Sequence, residues 1–554
     1  MTAVTLGRRA ALLLAGFPGV LGAQQISDSN RVALNRVFAT WTATNSPGCA
    51  VGVGRNGTPV FQNGYGMANL ELDAPITPAS IFHVASVSKQ FTAMAVMLLA
   101  QDGKLSLDDD IRRHLPEIPD YGHRITIRDL LHHTSGLRDQ WDLLAMARGR
   151  FEENRITESD VLEIVARQKA LNFVPGAEYL YSNTGYTLAG TIVRRVSGKS
   201  LREFADERIF RPLGMANTHF HDDYTMVVKG RAAGYARRAG AWHVSLPNYD
   251  TYGATSLFTT VADLLKWQAN FARPVVGTEG LLKEMLASAI LANGDTTGYG
   301  LGVATQFFRG VRLIGHGGAD AGYRTWSGGV PEHGLDLVVL CNASTAAPAA
   351  LMQGVIEVLL ADKLQPVAPP ARASAAFSGE QAGRLAGVYV HPVTGAPTLL
   401  TQRGDTLVLG RTGPVLLPLG ESRFRISGQQ SEAEFTAGGE LVIRSLDWPS
   451  RQPVPLRRVA AAPARMTRAE LAGYAGTYRS DELGAVYQVE AGDSTLILKT
   501  RWALDRNVIP AYGDVFTGPY LLRFTRGRNG RIDGMLMSSG RVRNVRFVRM
   551  ANLP

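Results

Sequence analysis

The segment LQPVAPPARASAAFS, Leu364 to Ser378, divides this chain into two parts with different hydrophobic periods. Its Pro and Ala content suits neither a packed strand nor a core helix, so it is read as a linker over 364–378. After it come short alternating segments such as TLLTQ, TLVLG, ELVIRSL, STLILKT and VRFVRM, separated by Gly and Asp turns. A period of two in short, turn-bounded runs predicts antiparallel β-barrels. LAGVYVHPVTGAPTLL from Leu385 and YAGTYRSDELGAVYQV from Tyr474 share a pattern of glycine, aromatic and strand restart. Two barrels of similar design are therefore expected, over 379–460 and 466–554.

The part before the linker, 24–363, mixes both periods. Two apolar runs in GCAVGVGRNGTPVFQNGYG flank Asn56-Gly57, the strongest short hairpin signal. Helical stretches then dominate to about Phe271. Strands return at VRLIGHGG, RTWSGGVP and LDLVVLCNAS, and a helix at Ala349–Leu360 follows. A sheet drawn from both ends of the segment, with helices inserted between, makes this an α/β (α+β) layered domain.

Residues 1–23 combine Arg8-Arg9, a short apolar run broken at Pro18 and a small-residue end at Gly22-Ala23, which reads as an export signal. A periplasmic or secreted protein is expected, with the Sec and twin-arginine routes both open. No later run approaches the roughly 20 apolar residues of a membrane span. Cys49 and Cys341, the only cysteines, sit in apolar runs and are read as buried free thiols, with a disulfide left open by the exported setting. The net charge of +10 is spread over arginines in all regions. Arg541, Arg543, Arg546 and Arg549 are assigned to a strand, and the whole is taken as a basic solvated face rather than a nucleic-acid site.

The chemistry is concentrated in HVASVSKQFTAMAV, His83 to Val96. Ser86 and Lys89 are three apart at the start of an apolar helix, so both side chains share one face. Burial disfavours the charged form of a lysine and turns it into a proton acceptor beside its nucleophile. Ser-x-x-Lys alone is common by chance, and partners are required. GAEYLYSNTGYTLAG supplies Tyr181 and Asn183 on a loop before a helix. LIGHGGADAG supplies His316, Gly317 and Gly318 at a strand end, where missing side chains let a substrate lie along the backbone.

Ordered as Ser-x-x-Lys, Tyr-x-Asn and His-x-Gly, with LLHHTSGLRDQW, RIFRPLGMANTHF and GHGGADAGYRT, the chain resembles the penicillin-binding-protein-like serine hydrolases. That family includes class C β-lactamases, D,D-peptidases and related esterases. With two trailing lipocalin-like barrels, the layout is similar to that of bacterial D-aminopeptidases. The resemblance implies that Ser86 forms an acyl-enzyme, Lys89 takes its proton and Tyr181 shares or relays it to the leaving group. It further implies that Asn183 orients the substrate, His316 lines the site opposite Ser86, and Gly318 leaves room for the ligand. The N–H groups of Ser86 and Ala319 would form the oxyanion hole. No metal or organic cofactor is implied.

Many relatives of this kind carry Lys where His316 stands. A largely neutral histidine grips a substrate carboxylate less well, which favours peptides with a free amino end, or esters and amides lacking a carboxylate, over β-lactams, and D-amino-acid peptides or amides are the expected substrates. In the D-aminopeptidases a long loop of the last barrel enters the active site. Here the comparable stretch GDVFTGPYLLRFTRG is short, which leaves strict aminopeptidase selectivity open. An esterase or weak β-lactamase using Ser86, or a catalytically poor sensor of peptidoglycan fragments, are the rival readings. Expected partners are a small-molecule or peptide substrate, with peptidoglycan fragments as one source. Ser88 has no lysine three residues on, and Ser135 in HTSGL is read as an exposed turn residue. His219-x-His221-x-Asp223 has Tyr224 where a metallo-hydrolase motif would place another ligand.

Overall fold

Asn56 and Gly57 both adopt positive φ (51° and 78°), the conformation a two-residue turn needs to match strand twist. The first apolar runs accordingly form the hairpin β1 (Cys49–Arg55) and β2 (Thr58–Tyr65). The computed structural model describes residues 26–149, 155–366, 377–429, 431–446, 453–460, 466–501 and 503–551. The expected export signal, 1–23, and linker positions 367–376 lie outside the described residues. Four strands follow late in the domain: β3 (Ala304–Phe308), β4 (Val311–Asp320), β5 (Tyr323–Val330) and β6 (Leu335–Cys341). They join the hairpin in one antiparallel sheet of order β3-β4-β5-β6-β1-β2.

Alternation along β1 decides the two layers. Cys49, Val51 and Val53 face a core shared with α1 (Asp28–Val37) and the late helix Pro348–Leu359. Ala50 and Gly52 face the other way, and a Cβ at Gly52 would lie 2.8 Å from Val261. On that second face sit α2 (Ser88–Gln101), α3 (Ile127–His132), α4 (Gln140–Arg148), α5 (Asn183–Ser197) and α6 (Val261–Ala272). Every residue of α2 from Ser88 to Leu99 is buried. This is the fate of a helix apolar on all sides.

Sheet order also corrects the cysteine reading. Cys49 and Cys341 stand directly opposite on the adjacent strands β1 and β6, with Cα atoms 4.0 Å apart, and form a disulfide across 292 residues. Buried free thiols were expected from the apolar runs, with a disulfide left open, and the two runs are remote in sequence. The sheet closes that distance.

Both barrels are present. Eight strands from Gly387 to Val459 form one ladder, in which Leu441 exchanges backbone hydrogen bonds with Leu456 and nearly closes the ring. Eight more, from Gly476 to Arg549, form a closed barrel. The internal echo is structural. In each barrel a short helix with a capping box, at Ser378 and Thr467, leads into the first strand. Tyr389 and Tyr478 each donate to the backbone carbonyl four residues earlier. Arg458 and Arg549 each reach back to a carbonyl, of Ala386 and Ala475, beside Gly387 and Gly476, where a Cβ would press on the arginine at 2.9 Å.

Candidate active site

Ser86 sits in a tight 3-10 turn, Ala85–Val87, just ahead of α2 rather than inside its first α-helical turn. Ala85 holds φ of 49°, a strained conformation that over-determined surroundings must maintain. Those surroundings are β4 and β5: Thr325 donates to the Val84 carbonyl at 2.9 Å. A Cβ at Gly318 would lie 2.3 Å from that same carbonyl and 3.1 Å from the Ala85 Cβ. The space expected to be left for a ligand at Gly318 is therefore filled by the turn that carries Ser86. Gly317 and Ala319, its neighbours on β4, are exposed in the cleft, and Ser86 opens into the same space.

Lys89 is completely buried. Its Nζ lies 3.1 Å from Ser86 Oγ, 2.9 Å from Asn183 Oδ1 and 2.6 Å from the Ala254 carbonyl. Burial pushes its pKa well below the usual lysine value, opposed by the Asp139 charge and assisted by Arg541. A neutral amine has two N–H donors, which the two carbonyl-type acceptors take up. Its lone pair then faces the Ser86 hydroxyl, the geometry of a base beside its nucleophile. Burial raises the pKa of the Tyr181 phenol, against a smaller lowering by Ser86 beside it, so it stays protonated and suits proton donation.

Asn183 is oriented by Asp139, which no spacing rule picked out. Asp139 Oδ2 accepts from the Asn183 backbone N–H at 2.6 Å and from its Nδ2 at 2.9 Å, while Oδ1 caps α4. With Nδ2 committed, Oδ1 of Asn183 must face Lys89. His133, with φ of 61°, accepts from the Ser182 N–H and packs against the Tyr181 ring at 4.2 Å. His316 lies 2.9 Å from the Tyr299 hydroxyl through Nε2 and 2.6 Å from the Gly317 carbonyl through Nδ1. A carbonyl only accepts, so Nδ1 carries the proton and Nε2 accepts from Tyr299. Burial pushes the His316 pKa down to about 3, leaving the ring neutral.

The cleft above these groups is about 630 Å³, and its lining includes the carboxylates Asp142 and Asp320 and the guanidinium groups Arg324 and Arg541. Asp320, at the end of β4, accepts from His83, Thr255 and Tyr249. Burial acts against its ionisation, but these hydrogen bonds hold its pKa below the usual carboxylate value. Arg541 comes from the second barrel. It belongs to the loop 539–544, ahead of the last strand Val545–Arg549, so neither Arg541 nor Arg543 is on a strand or a simple solvated face. Its N–H donates to Asp142, and its carbonyl accepts from Asn172. The stretch 513–527 forms strands and a turn of the barrel wall and contributes nothing to the lining of this cleft.

Ser88 is consumed internally, donating to the Ala85 carbonyl and accepting from Leu257 N–H. Ser135 is buried, not exposed, and accepts from Leu137 N–H in its turn. His219 and His221 lie 3.3 Å apart, both pushed down to about 4 by burial. Among the described residues no cluster of three or more metal-ligating side chains is present.

Residues 34–362 match the beta-lactamase family. The chain belongs to that family. It is 27% identical to a D-aminopeptidase of Brucella ovis over 535 residues, 91% of this chain and 96% of the relative. A D-aminopeptidase of Gluconobacter oxydans is 25% identical over 523 residues, again 91% and 96%. Among solved structures, the octameric penicillin-binding protein homologue from Pyrococcus abyssi superposes with a TM-score of 0.55 at 25% identity, over 77% of this chain and 99% of that one. Family membership and these relatives make this chain a serine hydrolase of the beta-lactamase family.

Proposed function

We propose that this protein hydrolyses amide bonds of short peptides or amides that begin with a D-amino acid bearing a free amine. Ser86 attacks the carbonyl as Lys89 takes its proton. Tyr181 passes a proton to the departing nitrogen, and the backbone N–H groups of Ser86 and Ala319 receive the oxyanion. Water then releases the acyl group. Asp320 carries the choice of substrate: an ionised carboxylate in the cleft, accepting three hydrogen bonds, retains a lone pair for an ammonium. The whole-length similarity to D-aminopeptidases supports the same reading.

Export to the periplasm or beyond is part of the proposal. It rests on the leader-like residues 1–23 and is supported by the Cys49–Cys341 disulfide, a bond that persists in oxidising compartments. Peptidoglycan stem peptides would be one source of D-residues there. The deciding assay compares D-alanine p-nitroanilide, a short-chain p-nitrophenyl ester and nitrocefin, with wild type and Ser86→Ala. Anilide turnover that disappears in Ser86→Ala is expected. Turnover surviving that substitution would sink the mechanism, and ester-only turnover would sink the peptidase reading.

A further inference from the structure

We propose that Arg541, brought into the cleft by the second barrel, is a specificity-determining residue that binds the α-carboxylate of the residue released from the substrate. This rests on the hydrolase reading above and names a second requirement of the same site.

The backbone of Arg541 is pinned on both sides. Its N–H donates to Asp142 Oδ2 at 2.9 Å, and its carbonyl accepts from Asn172 Nδ2 at 2.9 Å. Arg543, two residues on, holds Glu178 through both guanidinium arms and donates its N–H to Asn172. A loop held this firmly presents its side chain at a set place. That side chain lines the cleft with Ser86, and its guanidinium carbon lies 4.9 Å from the centre of the Tyr181 ring.

The guanidinium has unspent capacity. Among the described residues its one ion-pair partner is Asp139, 4.0 Å away and fully buried, with its oxygens already accepting from Asn183 and the start of α4. The Arg541 side chain is 43% exposed to the cleft. A planar fork of donors resting on an aromatic face, without a close anion, is built to take a carboxylate in two parallel hydrogen bonds. Tyr181 marks the side from which the leaving amine departs. In a released amino acid the carboxylate is two bonds from that nitrogen. Neutral His316 has both nitrogens engaged, and Arg324, the other guanidinium of the cleft lining, donates to the Ala321 and Tyr323 carbonyls. Asp320 for the ammonium and Arg541 for the carboxylate together describe a free dipeptide.

The test uses the full-length protein and two substrates, D-alanyl-D-alanine and its C-terminal amide. Wild type is expected to favour the free acid at least tenfold in kcat/KM, through KM. Arg541→Gln should abolish that preference, and Arg541→Lys, which keeps the charge but loses the fork, should retain part of it. Melting temperatures would show whether either variant is folded, and the acid-to-amide ratio of the wild type stands without any variant. A wild-type ratio near one, or a ratio that Arg541→Gln leaves unchanged, overturns this inference alone. Wild type that cleaves neither dipeptide while turning over an aryl ester overturns the D-peptidase reading and this inference with it.

Discussion

The two barrels share a blueprint and differ in where their surfaces are satisfied. The first keeps a small core of its own, centred on Tyr389, Leu400, Phe424 and Phe435. Its Glu432 pairs with Arg423 and Arg425, whose side chains are 59% and 36% exposed. The second shares one continuous core with the catalytic domain, and Tyr487 donates to the Met146 carbonyl of α4. There Glu482 meets Arg138 at 2.6 Å with both side chains buried, and Lys169 N–H and Gln168 complete the cluster. Equal folds thus do unequal work: among the described residues the second barrel lines the cleft, through Arg541, and the first does not.

The largest expected contrast is in stability. Glu482→Ala leaves the Arg138 charge buried without its anion and is expected to lower unfolding free energy by about 3–5 kcal/mol, whereas Glu432→Ala should lower it by less than about 1 kcal/mol. Denaturant midpoints at constant m-value measure both. Similar losses would erase the distinction between a barrel that shares the catalytic domain's core and one that keeps its own.

A smaller contrast concerns pH. In the proposed mechanism Lys89 must be neutral to act, so activity should fall as pH drops through its lowered pKa. Arg541 helps to depress that pKa and Asp139 opposes the depression. Arg541→Gln should therefore move the acidic limb of kcat/KM to higher pH, and Asp139→Asn to lower pH, each by about one unit or less. Arg457→Gln, on the last strand of the first barrel, should leave the limb in place. A limb that moves with Arg457 instead would mean that the two barrels act alike on the site.

The smallest effect tests what the barrels have in common. Tyr389→Phe and Tyr478→Phe each remove one hydroxyl-to-carbonyl hydrogen bond and should cost about 1 kcal/mol apiece in thermal or chemical unfolding. A loss confined to one barrel would show that the repeated motif is not equivalent in the two.

Much of this was legible in sequence because it is local. The Asn56-Gly57 turn, the two barrels and their shared motif follow from short-range periods and turn residues. The spacing of Ser86 and Lys89 puts them within reach across one turn, although the backbone there is 3-10 before it becomes α. Asp139 could have been suspected only from SGLRDQW as a whole, since a helix-capping aspartate looks the same whether or not it also orients Asn183.

What sequence alone determined, then, is the reaction class: a buried lysine beside a serine, with tyrosine, asparagine and histidine in order. Tertiary structure decided the Cys49–Cys341 bond, the use of Gly318 to seat the turn of Ser86, and the arrival of Arg541 from the far end of the chain. Each of these depends on strand order or on the docking of one domain against another. Contacts of that kind join residues remote in sequence, and no local hydrophobic period records which remote partner a side chain will meet.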